Sequence, residues 1–203
     1  MNSNNAKAVL SSLNDVRPIL SAMADQNGLL SSTLVKEIKS GAKTLTHTRL
    51  TIKRDFASLA EGTKQMIEAS QDKDPGISDF AGQRVQTGEA FVINNVAWRY
   101  ADAANLANAE YTTKLPKGLV SAELRIISDG VLKTKHYGRD FFVEAPGTET
   151  ANDFSHLDIS KVVGDEKPFK IEFEVPAGAT IPSPTNKHCL AVDLDVYQVV
   201  NAG

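Results

Sequence analysis

The chain has 203 residues, of which 41% are hydrophobic and 23% charged, and a formal net charge of −3. That length and balance suit one substantial core or two small ones and exclude a wholly disordered chain. The slight acidity excludes a surface coated throughout in basic residues for nucleic acid, and a lone cysteine, Cys189, excludes a disulfide framework, a closed zinc set and a redox pair.

The chain opens Met1-Asn2-Ser3-Asn4-Asn5-Ala6-Lys7, with no basic run ahead of an apolar core, so no secretory signal is expected. No stretch approaches the ~18 consecutive apolar residues of a membrane span. Ala6, Val9, Leu13, Val16, Leu20 and Met23 then recur at steps of three and four, the stripe of an amphipathic helix capped by Asn4 or Asn5 and stopped at Asn27-Gly28. Pro18 lies inside that stripe and removes a backbone donor, which predicts a kink or two short helices.

A second stripe follows Ser31 and Ser32: Leu34, Ile38, Leu45, Ile52, Phe56, Leu59 and Met66 share one helical face, which predicts a long helix from about residue 33 to 70. The threonine-rich residues 44 to 52 equally suit an extended strand. Gln71-Asp72-Lys73-Asp74-Pro75-Gly76 ends the segment. On the helical reading, Lys36, Lys39, Lys43, His47 and Arg54 fall opposite the apolar stripe. They form either a solvated face or a basic ridge for nucleic-acid phosphates or an acidic neighbouring subunit. Residues 1–75 hold ten basic against eight acidic residues and the remainder twelve against seventeen, an asymmetry suited to contacts between copies.

From about residue 84 the period becomes two. Val92, Val96, Trp98 and Tyr100 are expected on one face of a strand, with Phe91 and Ile93 on the other. Residues 122–127 and 131–135 flank Ser128-Asp129-Gly130, a hairpin turn. Residues 138 to 168 read as a long polar surface excursion. Two later segments alternate: Phe169, Ile171, Phe173 and Val175 against Lys170, Glu172 and Glu174, then Leu190, Val192, Leu194 and Val196 against Ala191, Asp193, Asp195 and Tyr197. The fold class is therefore α+β: N-terminal amphipathic helices forming a helical assembly segment over 1–75, followed by an antiparallel β-sandwich over 76–203.

Chemistry-bearing patterns are sparse. His47, His136, His156 and His188 show no metal-site spacing; a metal-assisted enzyme would have to draw on His136, His156 and Asp158. His188 and Cys189 are strand neighbours and point to opposite faces, so they do not form a nucleophile and base. Asp193 and Asp195 share a face and read as solubilising residues beside a sheet edge, or as a carboxylate pair. The chain has no phosphate-binding glycine loop and no hydrolase elbow. Neither an enzyme activity, a metal nor a cofactor is expected.

A helical beginning, and late strands reading Pro168-Phe169-Lys170-Ile171-Glu172-Phe173-Glu174-Val175-Pro176 and Leu190-Ala191-Val192-Asp193-Leu194-Asp195-Val196, resemble the jelly-roll virion proteins of bacterial viruses. The resemblance covers roughly residues 84 to 203. It implies a jelly-roll-like capsid subunit located in the virion, many copies self-associating around a genome or membrane, with loops making subunit contacts and other virion proteins as partners. Nucleic acid would then meet the basic helix face. The alternative is a cytoplasmic β-sandwich module that binds a ligand or protein, with the helices as an oligomerisation stalk and Trp98, Tyr137 and Phe141 or Phe142 as aromatic loop contacts.

Overall fold

The computed structural model describes residues 18–25, 28–111, 115–141 and 155–202, with the side chains of Phe141, His156, Asp158 and Ile159 outside that description. Two short helices lead: α1 over 18–25 and α2 over Ser32–Lys39. The residues ahead of Pro18 on the first expected helix lie outside the described part. Ser31 caps α2, its Oγ accepting from the Leu34 backbone N–H at 3.2 Å, and Lys36 and Lys39 occupy the last turn, where the helix dipole favours cations.

Eight strands follow among the described residues: β1 (Lys43–Phe56), β2 (Gly62–Gln65), β3 (Phe91–Ala103), β4 (Glu123–Ser128), β5 (Val131–Tyr137), β6 (Ser155–Val163), β7 (Phe169–Val175) and β8 (Lys187–Asn201). A one-turn helix, α3 (Lys117–Val120), precedes β4, and a 3₁₀ turn (Gly138–Phe141) follows β5. The long helix expected over 33–70 is corrected: it stops at Lys39. Gly41, at φ 78°, turns the chain away, and the threonine-rich stretch becomes β1, paired residue for residue with β8 from Lys43↔Asn201 to Phe56↔His188. A 14-residue ladder outweighs the weak local helical preference. β1 and β2 are thus drawn from the stretch assigned by sequence to a helical segment.

The strands form two four-stranded sheets, ordered β1-β8-β3-β6 and β2-β7-β4-β5. All pairings are antiparallel and nested: β1 with β8, β2 with β7, β3 with β6, β4 with β5. β8 also pairs β3, and β7 pairs β4. The nested pairs alternate between the sheets, β1:β8 and β3:β6 in the first and β2:β7 and β4:β5 in the second.

The inner faces of the two sheets share one core. The first sheet contributes Ile52 from β1, Ile93, Val96 and Trp98 from β3, and Leu190, Val192, Leu194 and Val196 from β8. The second contributes Leu124 and Ile126 from β4 and Phe169, Ile171 and Phe173 from β7. A bulge between Ile93 and Asn95 corrects the expected alternation of β3. The extra residue lets Phe91 and Ile93 join Val96, Trp98 and Tyr100 on the inner side, while Val92 faces out. The stretch 138–168 is corrected in part as well, because β6 lies within it.

A second, smaller core forms on the outer side of the first sheet, where Leu20, Met23, Leu30, Leu34 and Ile38 from the helical layer cover Leu45, Ala90, Val92 and Val199. Asp165 fastens this layer to the sandwich. It is 1% exposed, and its carboxylate accepts from the Ser31 N–H and Ser31 Oγ, each at 2.7 Å, and from the Gly88 N–H at 3.2 Å.

Candidate functional site

On the outer face of the first sheet, the area beyond the helices carries a polar network built by three adjacent strands. The β1:β8:β3 register sets Arg49, Asp195 and Asn95 in one row and Thr51, Asp193 and Ala97 in the next. Asp195 Oδ1 lies 2.5 Å from His47 Nε2, and Oδ2 accepts from Asn95 Nδ2 at 2.6 Å. Asp193 accepts from Thr51 Oγ1 at 2.7 Å and lies 3.6 Å from Arg99 Nε. Nearby, Lys187 Nζ meets Asp55 at 2.5 Å, and Lys53 Nζ stands 5.5 Å from the centre of the Tyr111 ring. Burial pushes the Tyr111 phenol well above its ordinary value, reinforced by the nearby Cys189, Asp193 and Asp55.

Asp193 and Asp195 therefore do not sit beside a sheet edge, as the sequence suggested. β8 is a central strand, and both carboxylates hold donors from neighbouring strands. Their role is to fix three strands in register, because a carboxylate in such a place needs partners.

The expected basic ridge is dispersed. Lys36 and Lys39 are exposed on α2, with Lys39 3.5 Å from Asp25. Lys43 and His47 lie on the outer side of β1, Lys43 3.4 Å from Glu37 and 2.8 Å from Asn201 Oδ1. Arg54 has the opposite strand parity, donates to the Gln65 carbonyl at 2.7 Å and pairs with Glu68. The single helix face that would have aligned these five residues does not exist.

Trp98 is corrected from a loop contact to a core residue: it is 3% exposed and its ring lies 5.6 Å from that of Phe173. Tyr137 ends β5, with Lys135 Nζ 5.2 Å and the Arg139 guanidinium 4.7 Å from its ring centre. The Phe141 side chain and all of Phe142 lie outside the described residues, as do the side chains of His156 and Asp158. His136 lies 3.0 Å from Thr134 Oγ1 and 3.3 Å from Ser155 Oγ, between β5 and the first residue of β6, and burial lowers its pKa against an opposing effect of Asp140.

His188 and Cys189 do face apart. His188 shares a buried 3.0 Å hydrogen bond with the Tyr100 hydroxyl, and burial depresses the imidazole pKa while nearby Asp102 opposes the shift. The Cys189 thiol lies 3.6 Å from the Ala103 carbonyl, and burial pushes its pKa up, which keeps it protonated and unreactive.

Among the described residues no three His, Cys, Asp or Glu side chains are grouped to hold a metal, and no helix is long and apolar enough to cross a membrane. No protein-family model, curated protein or solved structure matches the chain.

Proposed function

We propose that the chain is a structural, self-assembling subunit with a jelly-roll sandwich, of the kind that builds the shell of a bacterial virus. The observation that carries this reading is the nested pairing of eight strands into sheets ordered β1-β8-β3-β6 and β2-β7-β4-β5. Rolling one long hairpin into two four-stranded sheets is the arrangement of a jelly roll, a fold used by viral capsid domains and also by lectins and cupins. Fold alone does not assign function. The reading gains support from Asp193 and Asp195, whose carboxylates hold donors on neighbouring strands, and from a helical layer clipped to one outer face of the sandwich.

A ligand-binding module is the second reading, favoured by a small cleft lined by Lys73, Asp79, Phe80, Arg84, Glu89 and Gln198. Light scattering after size exclusion, with negative-stain imaging of the same fraction, separates the two. Shells, rings or sheets of many copies support the virion subunit. A stable monomer at every concentration overturns it and directs attention to the cleft.

A further inference from the structure

We infer that the stretch of the β1 edge from Lys43 to His47, unpaired among the described residues, joins two copies of this chain by antiparallel pairing of β1 with β1 about a two-fold axis at Thr46. This rests on the self-assembly reading. β1 is an edge strand with β8 as its sheet neighbour among the described residues, and its register is unbroken over 14 residues. Successive residues of an edge strand therefore turn their backbone groups alternately toward β8 and outward.

The outward set is the odd-numbered one. The Thr51 carbonyl accepts from the Asp79 N–H at 2.9 Å, the Thr51 N–H donates to Asp79 Oδ2 at 2.6 Å, and the Lys53 N–H donates to the Ile77 carbonyl at 2.8 Å. The turn at 74–79 thus closes the edge from Thr51 onward. Before it, the outward backbone groups of Lys43, Leu45 and His47 have no partner among the described residues. Proteins ordinarily guard such an edge with proline, a bulge, a covering segment or unpaired charge. β1 has neither proline nor bulge there, and Lys43 and His47 are matched by Glu37 and Asp195 of their own chain.

A second copy fits this edge because its outward backbone donors and acceptors, and its threonines, match those of an identical strand run antiparallel to it. With the axis at Thr46, Leu45 opposes the partner's His47 and exchanges both backbone bonds with it. Thr46 opposes the partner's Thr46, and Thr44 opposes the partner's Thr48, a ladder of threonine pairs of the kind that stabilises sheets. Lys43 opposes the partner's Arg49, and the Glu37 carboxylate beside Lys43 limits the repulsion between those two cations.

The test uses His47→Pro and His47→Ala in the full chain. Proline at an outward position removes only an edge donor and leaves the β1:β8 bonds in place, whereas alanine removes the side chain and keeps the donor. Association should weaken at least about tenfold in His47→Pro and much less in His47→Ala, as read by light scattering across a dilution series. In the wild-type oligomer the Lys43, Leu45 and His47 amides should exchange at least about tenfold more slowly than in the diluted chain. An oligomer unaffected by His47→Pro, with those three amides exchanging freely, overturns the edge pairing alone. A wild-type chain that never associates overturns both this and the assembly reading. Should His47→Pro not fold, the wild-type exchange measurement decides.

Discussion

Asp165 lies where three segments of the chain meet. Its buried carboxylate joins the α2 cap, the Gly88 turn and the β6–β7 connection, so Asp165→Ala leaves three donors without their acceptor. The expected cost is about 3 kcal/mol in urea unfolding, with faster amide exchange in α2 than in the sheets. Next to it, a Cβ on Gly164 would stand 1.8 Å from the Leu29 carbonyl oxygen, so Gly164→Ala must displace the helical layer, and a fall in its exchange protection would register that. His136 and His188 set a pH dependence. Burial lowers both pKa values in the folded chain, so below the ordinary imidazole value near 6.5 the unfolded chain takes up protons first. Their stabilising effect is complete above that pH and is lost as pH falls toward the depressed folded values. The urea midpoint should drop between pH 7 and 5, and the drop should shrink in His188→Gln.

At the level of elements, the bulge in β3 decides which side chains enter the core. Asn94 is the extra residue between Ile93, opposite Val196, and Asn95, opposite Asp195. Deleting Asn94 makes the β3:β8 ladder regular with every inner residue still inward, at the cost of its bond to Ser160 on β6, so the cooperative thermal transition should survive. Deleting Ala97 instead swings Trp98 and Tyr100 out of the core relative to Ile93 and Val96, and that transition should be lost. Equal behaviour of the two deletions would show that strand parity does not govern this core. α2 contributes differently, through its buried side chains. Leu34 is 1% exposed, and Leu34→Ala should cost about 2–5 kcal/mol in chemical denaturation. The β4–β5 turn needs Asp129 and Gly130 at φ 55° and 72°, the left-handed pair that a two-residue hairpin requires. That requirement was legible in the sequence, because aspartate followed by glycine meets it by chemistry alone.

For the whole molecule, the question is what an assembled copy presents to its surroundings. Lys36 and Lys39 are the members of the expected ridge that stand exposed together on one helix. If they meet nucleic acid, Lys36→Glu with Lys39→Glu should lower the nucleic-acid content of assembled particles and flatten the salt dependence of binding, with urea stability lowered by only about 1–2 kcal/mol because the glutamates oppose the helix dipole at the end of α2. Unaltered content, measured by the ultraviolet absorbance ratio of purified particles, counts against that contact.

Elements whose signal is local were legible from the residues alone: the β4–β5 hairpin, and the alternation of β7 and β8 that marks one face of each for the core. It also separated His188 from Cys189, since strand parity needs no partner to be known. Tertiary structure decided the rest. Leu45, Ile52 and Phe56 keep a helical spacing, yet residues 43–56 extend because β8 offers a full ladder, and β8 lies more than 130 residues away in the chain. The same pairing placed Asp193 and Asp195 in a central strand, scattered the basic ridge and left the outward backbone groups of Lys43 to His47 without a partner among the described residues. Local periodicity reports which side chains want burial, but which strands are neighbours depends on contacts between residues far apart in sequence, and no short window contains them.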